Sequence, residues 1–440
     1  MHLHRESMLC SLSVAMVLLA ATACSSSHDG NAVADGPTAG PAKGTITWFA
    51  NQFGPTDVDV RKTLITAFEK ANPGIKVELE QAPSNSDTFR AALTGQIFGG
   101  SSGFDVYNGD VTWPAQFGKA GLALALNKYF PASYWKTFSP GLVDSVTYNN
   151  MIMGAPLFTD HAFLFYRKDL LEKEHLPVPT TWEQMQRAAQ KLQQDRLVKY
   201  GFAGQWASYE GLTAGWTEFA ADAGARSVNQ AGTKATVDSA ASLKALTFMR
   251  GLITKGIAPQ AITTFKEPQS ETLFTSGQVA FERNWTYAYA DANSPASSIA
   301  GKVGIAPLPT FAGQPGPGYS VTGGWNMYLN PHSRNIGASV AFIKWMTGAQ
   351  AQKTLATAGG EIPTNASVLA DPTVQASNPA YPIAAKNKLR ARPSHVVAYP
   401  QVSQAIYRNI NAALTGGASL SRALSKASSA ITSALGNSGL

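Results

Sequence analysis

Few stretches of this chain have residue types and spacings that support catalysis. Gly99-Gly100-Ser101-Ser102-Gly103 matches G-x-S-x-G, a pattern that makes a nucleophile only where the serine sits on a strand-to-helix elbow. Here the run follows a predicted helix and precedes a predicted strand, so it reads as a turn. The sequence contains no H-E-x-x-H, no P-loop and no glycine-rich dinucleotide fingerprint. The seven histidines lie far apart, and two of them are His2 and His4. What remains is a set of carboxylates and large aromatics. Asp110 lies just past a predicted strand, Asp160 falls within Phe158-Thr159-Asp160-His161, and Glu210 within Ser208-Tyr209-Glu210-Gly211. Trp285 ends a strand-like run from Val279, and Trp325 follows Gly323-Gly324. Carboxylates accept charge-assisted hydrogen bonds from hydroxyls, and aromatic faces cover apolar surface. Each residue also has a purely structural reading. Asp110 can cap a helix over Thr112–Lys119, and Asp160 can be a solvated hinge residue. Glu210, Trp206 and Tyr209 can pack a loop, and Trp285 can sit in the core. Trp325 alternates with Met327, which places one face of that segment in a core. Acid pairs also permit a glycosidase dyad.

The elements that must position these residues follow from periodicity. Thr45–Phe49 and Ile75–Leu79 alternate as strands do, and Phe104–Tyr107 reads as a third strand. Between them, apolar residues recur at helical spacing over Asp57–Lys70 and Phe89–Ile97, with Asn72-Pro73-Gly74 ending the first helix. Strand and helix in alternation predict an α/β domain with a largely parallel sheet. Further helices are expected at Thr181–Gln194, Leu243–Lys255, Ile336–Met346, Gln350–Ala358, Gln401–Leu414 and Ser419–Leu435. Thr180-Thr181-Trp182-Glu183 is a helix-capping arrangement. Pro307 and Pro309 block ladder bonding, which suits a segment leaving a sheet. Gly323-Gly324 suits either a close backbone approach or a tight turn.

The 440 residues suffice for two or three domains, and a hydrophobic content of 44% allows a large core. The formal charge of +7 comes from scattered Lys and Arg, which reads as a diffuse solvated surface and not as a nucleic-acid site. Met1–Ser27 has the layout of a secretory signal: Arg5, then an apolar run from Met8 to Ala23, then small residues and Cys24. The run is too short for a comfortable membrane span, which needs ~20 residues. After cleavage Cys24 is the single cysteine, so no disulfide and no cysteine-based metal site is expected. Ser25–Lys43 is rich in Gly, Ser, Ala and Pro and reads as a flexible tether.

Cys24 behind small residues makes the start similar to a bacterial lipoprotein signal. Four further segments resemble extracytoplasmic solute-binding proteins of carbohydrate ABC importers, of the maltose/trehalose-binding kind. They are FDVYNGDVTWPAQFGKAG from Phe104, GAPLFTDHAFLFYRKDLLEKEHLPVPTTW from Gly154, FTSGQVAFERNW from Phe274 and VGIAPLPTFAGQPGPGYSVTGG from Val303. The resemblance implies an α/β, two-lobe periplasmic-binding-protein-like fold with an interlobe ligand cleft and hinge crossings. It implies a signal peptide over residues 1–23 and a lipidated Cys24 with its tether over 24–43. Lobe 1 would comprise 44–158 plus 309–348, and lobe 2 would comprise 159–308 plus 349–440.

The same resemblance implies roles. A small carbohydrate would be bound without catalysis or cofactor and delivered to ABC permease and ATPase subunits. The protein would be a monomer on the outer face of the cytoplasmic membrane. Asp110, Asp160 and Glu210 would take sugar hydroxyls, with Tyr209 beside the last. Trp285 would stack on a sugar ring, with Gly324 and Trp325 near it. Arg392, in Leu389-Arg390-Ala391-Arg392-Pro393, resembles an arginine that trehalose-binding relatives direct into the cleft, and Asn51 and Gln52 sit where the family has polar cleft residues. A neutral disaccharide is the favoured ligand. The three acids keep an amino sugar open, and a glycerol phosphate or glycerophosphodiester is the alternative if the cleft proves richer in Arg or Lys.

Overall fold

The computed structural model describes residues 37–54 and 59–437. The expected signal segment and Cys24 lie outside the described residues. Twelve strands occur among those described: β1 Gly44–Ala50, β2 Ile75–Gln81, β3 Val106–Asp110, β4 Thr147–Tyr148, β5 Met151–Ile152, β6 Ala155–Arg167, β7 Tyr200–Ala203, β8 Val279–Trp285, β9 Val303–Ala306, β10 Tyr319–Leu329, β11 Ile362–Pro363 and β12 Lys388–Arg390. The main sheet runs β2-β1-β3-β10-β6-β8-β7, with β9 and β11 paired to β6 and β12 paired to β10.

The expected alternation at the start of the chain is present. β1 pairs in parallel with both β2 and β3, and the helices Val60–Ala71 and Ser86–Phe98 connect them. The expectation of a largely parallel sheet holds toward the two ends and where β12 pairs with β10. β10 is antiparallel to β3 and β6, and β6 is antiparallel to β8, β9 and β11. The reason is the length of β6. Thirteen residues span roughly 40 Å at ~3.3 Å per residue, enough to run from one lobe into the other. Its first half pairs with β10 and its second half with β8 and β9. β9 stops at Ala306, immediately before Pro307, because proline offers no N–H to the ladder.

Two α/β lobes flank this shared central region. In the first, Trp48, Phe68 and Phe342 pack edge to face, and a second cluster gathers Phe49, Phe89, Trp113 and Tyr328. The largest cluster belongs to the second lobe, where Trp182, Trp216, Phe219 and Ile406 join the helices Trp182–Gln194, Glu210–Asp222, Ala240–Thr254, Tyr399–Thr415 and Leu420–Asn437. The capping arrangement is realised at Thr181. Its side chain accepts from the Gln184 N–H at 3.2 Å, and Gln184 Oε1 accepts from the Thr181 N–H at 3.2 Å. Such a reciprocal cap satisfies two otherwise orphaned donors. Gly99–Gly103 is a turn between a helix and a strand, with no nucleophile elbow.

One expectation is corrected at the tether. Its last residues, 37–43, rest on the first lobe. The Tyr129 hydroxyl donates to Pro37 O at 2.9 Å, and Gly337 leaves room for the backbone of Ala39–Pro41. A Cβ at Gly337 would come within 2.6 Å of Gly40 O, so a glycine is needed there. No helix among the described residues is long and apolar enough to cross a membrane.

Candidate functional site

Sheet register brings the candidate residues together. Asp110 ends β3 opposite Trp325 of β10. Two positions earlier on β10, Gly323 faces Asp160 of β6, and Gly324 faces Thr159. Farther along β6, Ala162 faces Trp285 at the end of β8. Positions scattered over more than two hundred residues of chain therefore become neighbours across four strands. β12 adds Arg392: Arg390 pairs with Val321, so the chain continues alongside Thr322, and Arg392 Nη2 donates to Thr322 O at 3.3 Å.

Asp110, Asp160, Tyr209, Glu210, Trp285, Gly324, Trp325, Arg392, Asn51 and Gln52 all line one cavity of about 370 Å³. Trp206 does not reach it. It packs against Phe202 and Phe219 in the second-lobe core. Asp160 is corrected as well, because a solvated hinge residue does not describe a side chain 7% exposed within a continuous strand.

Arg392 is the hub of the cavity's polar network. Nη1 donates to Glu210 Oε1 at 2.7 Å and Nη2 to Asp110 Oδ1 at 3.4 Å. Glu210 opens the helix Glu210–Asp222, where the helix dipole favours an anion. It also accepts from the hydroxyls of Tyr399 and Ser403, the latter at 2.5 Å. Burial nevertheless holds its carboxyl above the usual range, against the pull of Arg392. Burial opposes the charged form of Arg392 too, but Asp110, Tyr399 and Glu210 outweigh it and raise its pKa. Asp110 is not a helix cap. The following helix is Pro114–Ala120, and Asp110 Oδ1 accepts from the Thr112 N–H at 2.9 Å and its hydroxyl at 2.8 Å.

Contacts across the cleft use residues that sequence reasoning did not single out. Asp87 Oδ2 accepts from the Glu210 N–H at 3.1 Å, and Glu361 Oε1 accepts from the Gly54 N–H at 3.0 Å. Glu361 Oε2 is buried without a partner. Phe158, Lys266, Glu267, Tyr287 and Glu361 also line the cavity. Tyr209 presents its ring, since its hydroxyl is committed to Glu267 at 2.8 Å and Lys266 Nζ lies 5.4 Å from the ring centre. Asn51 is tied to Asn108 at 3.4 Å, while Gln52 is exposed.

The tryptophans are held rigidly. The Arg283 guanidinium lies 4.0 Å from the ring centre of Trp285, and Arg283 is itself clamped by Glu218 at 2.8 and 2.5 Å. Trp325 stacks on Phe89 at 5.8 Å and meets Trp113 edge-on at 5.9 Å. The glycines before it form no turn; they lie within β10. A Cβ on Gly323 would strike the Trp285 ring at 2.8 Å, and one on Gly324, at φ +117°, would approach Phe158 O to 2.3 Å. Gly324→Ala is therefore expected to lower stability by about 2 kcal/mol or more, from backbone strain and the steric clash together. A smaller loss of unfolding free energy in urea titrations would contradict this packing.

Asp160 and Glu361 form an acidic pair. Thr159 pairs with Ile362, which puts Glu361 opposite Asp160. Asp160 Oδ1 accepts from the Thr286 N–H at 2.9 Å and from the Thr286 hydroxyl. Burial pushes Asp160 up to about 6. Burial, and then the Asp160 charge, pushes Glu361 well above the carboxylate range. Both groups are raised in the fold, so the stability linked to them is fully present below the unfolded pKa and is lost as pH rises. For Asp160 that window runs from its ordinary 3.8 to about 6. Asp160→Asn keeps an acceptor for Thr286 and removes the titration. The stability difference between wild type and Asp160→Asn is expected to fall across this window by up to about 1.4 kcal/mol per pH unit. Urea midpoints at three pH values measure it, and a difference that rises with pH would refute the burial argument.

Residues 54–353 match a family model described as bacterial extracellular solute-binding protein. A "Probable ABC transporter-binding protein" of Deinococcus radiodurans is 35% identical over 353 residues, covering 78% of this chain and 82% of that protein. Among solved structures, the maltose-bound MalE3 of T. maritima superposes with a TM-score of 0.82 at 32% identity, covering 88% of this chain and 98% of the other. A solute-binding protein of an ABC transporter from Thermotoga lettingae, bound with α-D-tagatose, gives 0.79 at 25% identity, covering 89% and 99%.

Proposed function

The chain belongs to the bacterial extracellular solute-binding proteins and serves an ABC transporter outside the cytoplasm, and from that premise we propose that its solute is a small neutral carbohydrate. The single observation carrying this reading is the composition of the cleft: aromatic faces at Trp285, Trp325, Tyr209 and Phe158 stand beside the carboxyls of Asp110, Asp160, Glu210 and Glu361 in one cavity. Sugar rings offer CH-rich faces to the former and hydroxyls to the latter. The volume, about 370 Å³, falls in the ~300–1,000 Å³ range of small-molecule sites. The maltose and tagatose held by the two solved relatives support the same class.

The charge balance favours a neutral ligand over the two charged ones. Arg392 and Lys266 are the cations of the lining, and Arg392 is already engaged by Glu210 and Asp110. That leaves little for a glycerophosphodiester. Burial holds Glu361 well above the carboxylate range, so it adds a donor to the acceptor oxygens of Asp160 and suits hydroxyls. An ammonium ligand gains less from such a pair than from two ionised acids.

In this reading Asp110, Asp160 and Glu210 take hydroxyls, Trp285 supports the ring, and the lobes close on the ligand by a hinge where β6 and β10 pass between them. The lobes divide as residues 44–158 with 309–348, and 159–308 with 349–440. The ligand leaves unchanged for the permease and ATPase subunits. Cys24 carries the lipid that holds the monomeric protein at the membrane, with a raised effective concentration near the permease. A thermal-shift panel of neutral disaccharides, amino sugars and glycerophosphodiesters tests the ligand class. A binder gains ~2.7 kcal/mol at a hundredfold excess over Kd. Stabilisation by the charged compounds alone would overturn the reading.

A further inference from the structure

A second cavity, of about 310 Å³, lies between the segment following the helix Glu210–Asp222 and the segment following β12. Its lining carries Arg226, Arg390, Arg392 and His395 and, among the described residues, no carboxylate. The positive charge is unspent. Arg392 is occupied by Glu210 and Asp110 on the cleft side, but no ion pair engages Arg226 or Arg390 among the described residues. Arg390 lays its guanidinium on the Tyr319 ring at 4.5 Å, and its Nε is buried without a hydrogen-bond partner, as is Nε of Arg392. Asp222 lines an adjoining cavity with Arg226 and Arg390, but it accepts from Trp182 Nε1 at 3.0 Å and from the Tyr319 N–H at 2.7 Å and forms an ion pair with neither arginine.

Buried, unpartnered donors are expensive to leave unmade. A planar guanidinium fork satisfies them best with the paired oxygens of an oxyanion. The charges left over, those of Arg226 and Arg390, match a dianion, and a phosphomonoester carries about −1.5 to −2 near neutral pH. We infer that this cavity is a binding site for a phosphate-bearing ligand, held by Arg226 and Arg390 and separate from the carbohydrate cleft. The site does not depend on what the cleft binds.

The test uses the full chain at fixed ionic strength, with chloride as the matching salt. One arm titrates inorganic phosphate and glycerol 3-phosphate by calorimetry. The other measures flotation with phosphatidic acid vesicles against phosphatidylcholine vesicles. Saturable binding is expected in at least one arm; the first identifies a free phosphate compound and the second a lipid headgroup. R226Q/R390Q is expected to weaken that binding by about tenfold per arginine, the scale of a lost hydrogen bond to a charged group. Arg226 is exposed and Arg390 partly so, which spares the core. The charge-matched variant R187Q/R408Q, altered at exposed positions, is expected to bind as wild type does. Absence of binding in both arms of the wild type would overturn the inference, as would equal losses in the two variants.

Discussion

Replacing Arg392 with alanine is expected to lower stability by about 3–5 kcal/mol at neutral pH, the usual consequence of stripping one partner from a buried ion pair. Arg392 and Glu210 are 5% and 7% exposed, so water screens the pair little. The variant leaves Glu210 with Tyr399 and Ser403, and Asp110 with Thr112 and Ser86. Those groups donate hydrogen bonds but carry no positive charge. Glu210 is already held above the usual carboxylate range by burial, and loss of Arg392 raises it further. A group raised in the fold is tolerated while protonated and destabilising once ionised. The deficit of Arg392→Ala is thus expected to be smaller at pH 5 than at pH 8. Adding Glu210→Gln is expected to restore part of the stability at pH 8. Urea titrations of the three proteins at both pH values measure this, and a deficit that is small and independent of pH would show that Arg392 does not neutralise the cleft.

Trp285→Ala has the larger expected effect on binding. The ring sits at the cavity wall with the Arg283 guanidinium 4.0 Å from its centre and Gly323 at its edge. It is a preorganised aromatic anchor, the kind of residue whose truncation removes 2 kcal/mol or more of binding energy, about thirtyfold in Kd. Its surroundings stay intact, because Arg283 keeps its two bonds to Glu218 and a third to Gln205 at 3.1 Å. Carbohydrate affinity is expected to fall by that factor while the urea midpoint changes far less. Trp285→Phe keeps a smaller face and is expected to lie between. Equal affinity in wild type and Trp285→Ala, by calorimetry, would remove the ring from the site.

How much of this could be read beforehand differs from residue to residue. The strand–helix alternation near the start was legible because each element buries one face, and the pattern survives in the order of residues. Asp110 and Trp285 stand at strand ends, which local punctuation marks. Glu361 carried no comparable signal. It follows a Gly-Gly pair in a short segment, and its place opposite Asp160 depends on β11 pairing with β6 across two hundred residues of sequence. Asp87 gave no signal either, since a first-turn acid reads as ordinary helix chemistry. The mixed sheet was hidden for a related reason: whether neighbouring strands run parallel depends on where β6 and β10 pass between lobes, and alternation within a strand does not report it. The glycines at 323 and 324 were legible as special positions, but their partners, the Trp285 ring and Phe158 O, are set by packing alone.

The cleft is expected to capture a small neutral carbohydrate and release it unaltered. Calorimetric titration of the full chain with maltose and trehalose, followed by chromatography of the recovered sugar, measures both steps. Saturable one-to-one binding of a neutral sugar, weakened by Trp285→Ala and with the sugar recovered intact, is the expected result. Cleavage of the sugar, or saturable binding of an amino sugar or glycerophosphodiester with none of the neutral sugars, would contradict it.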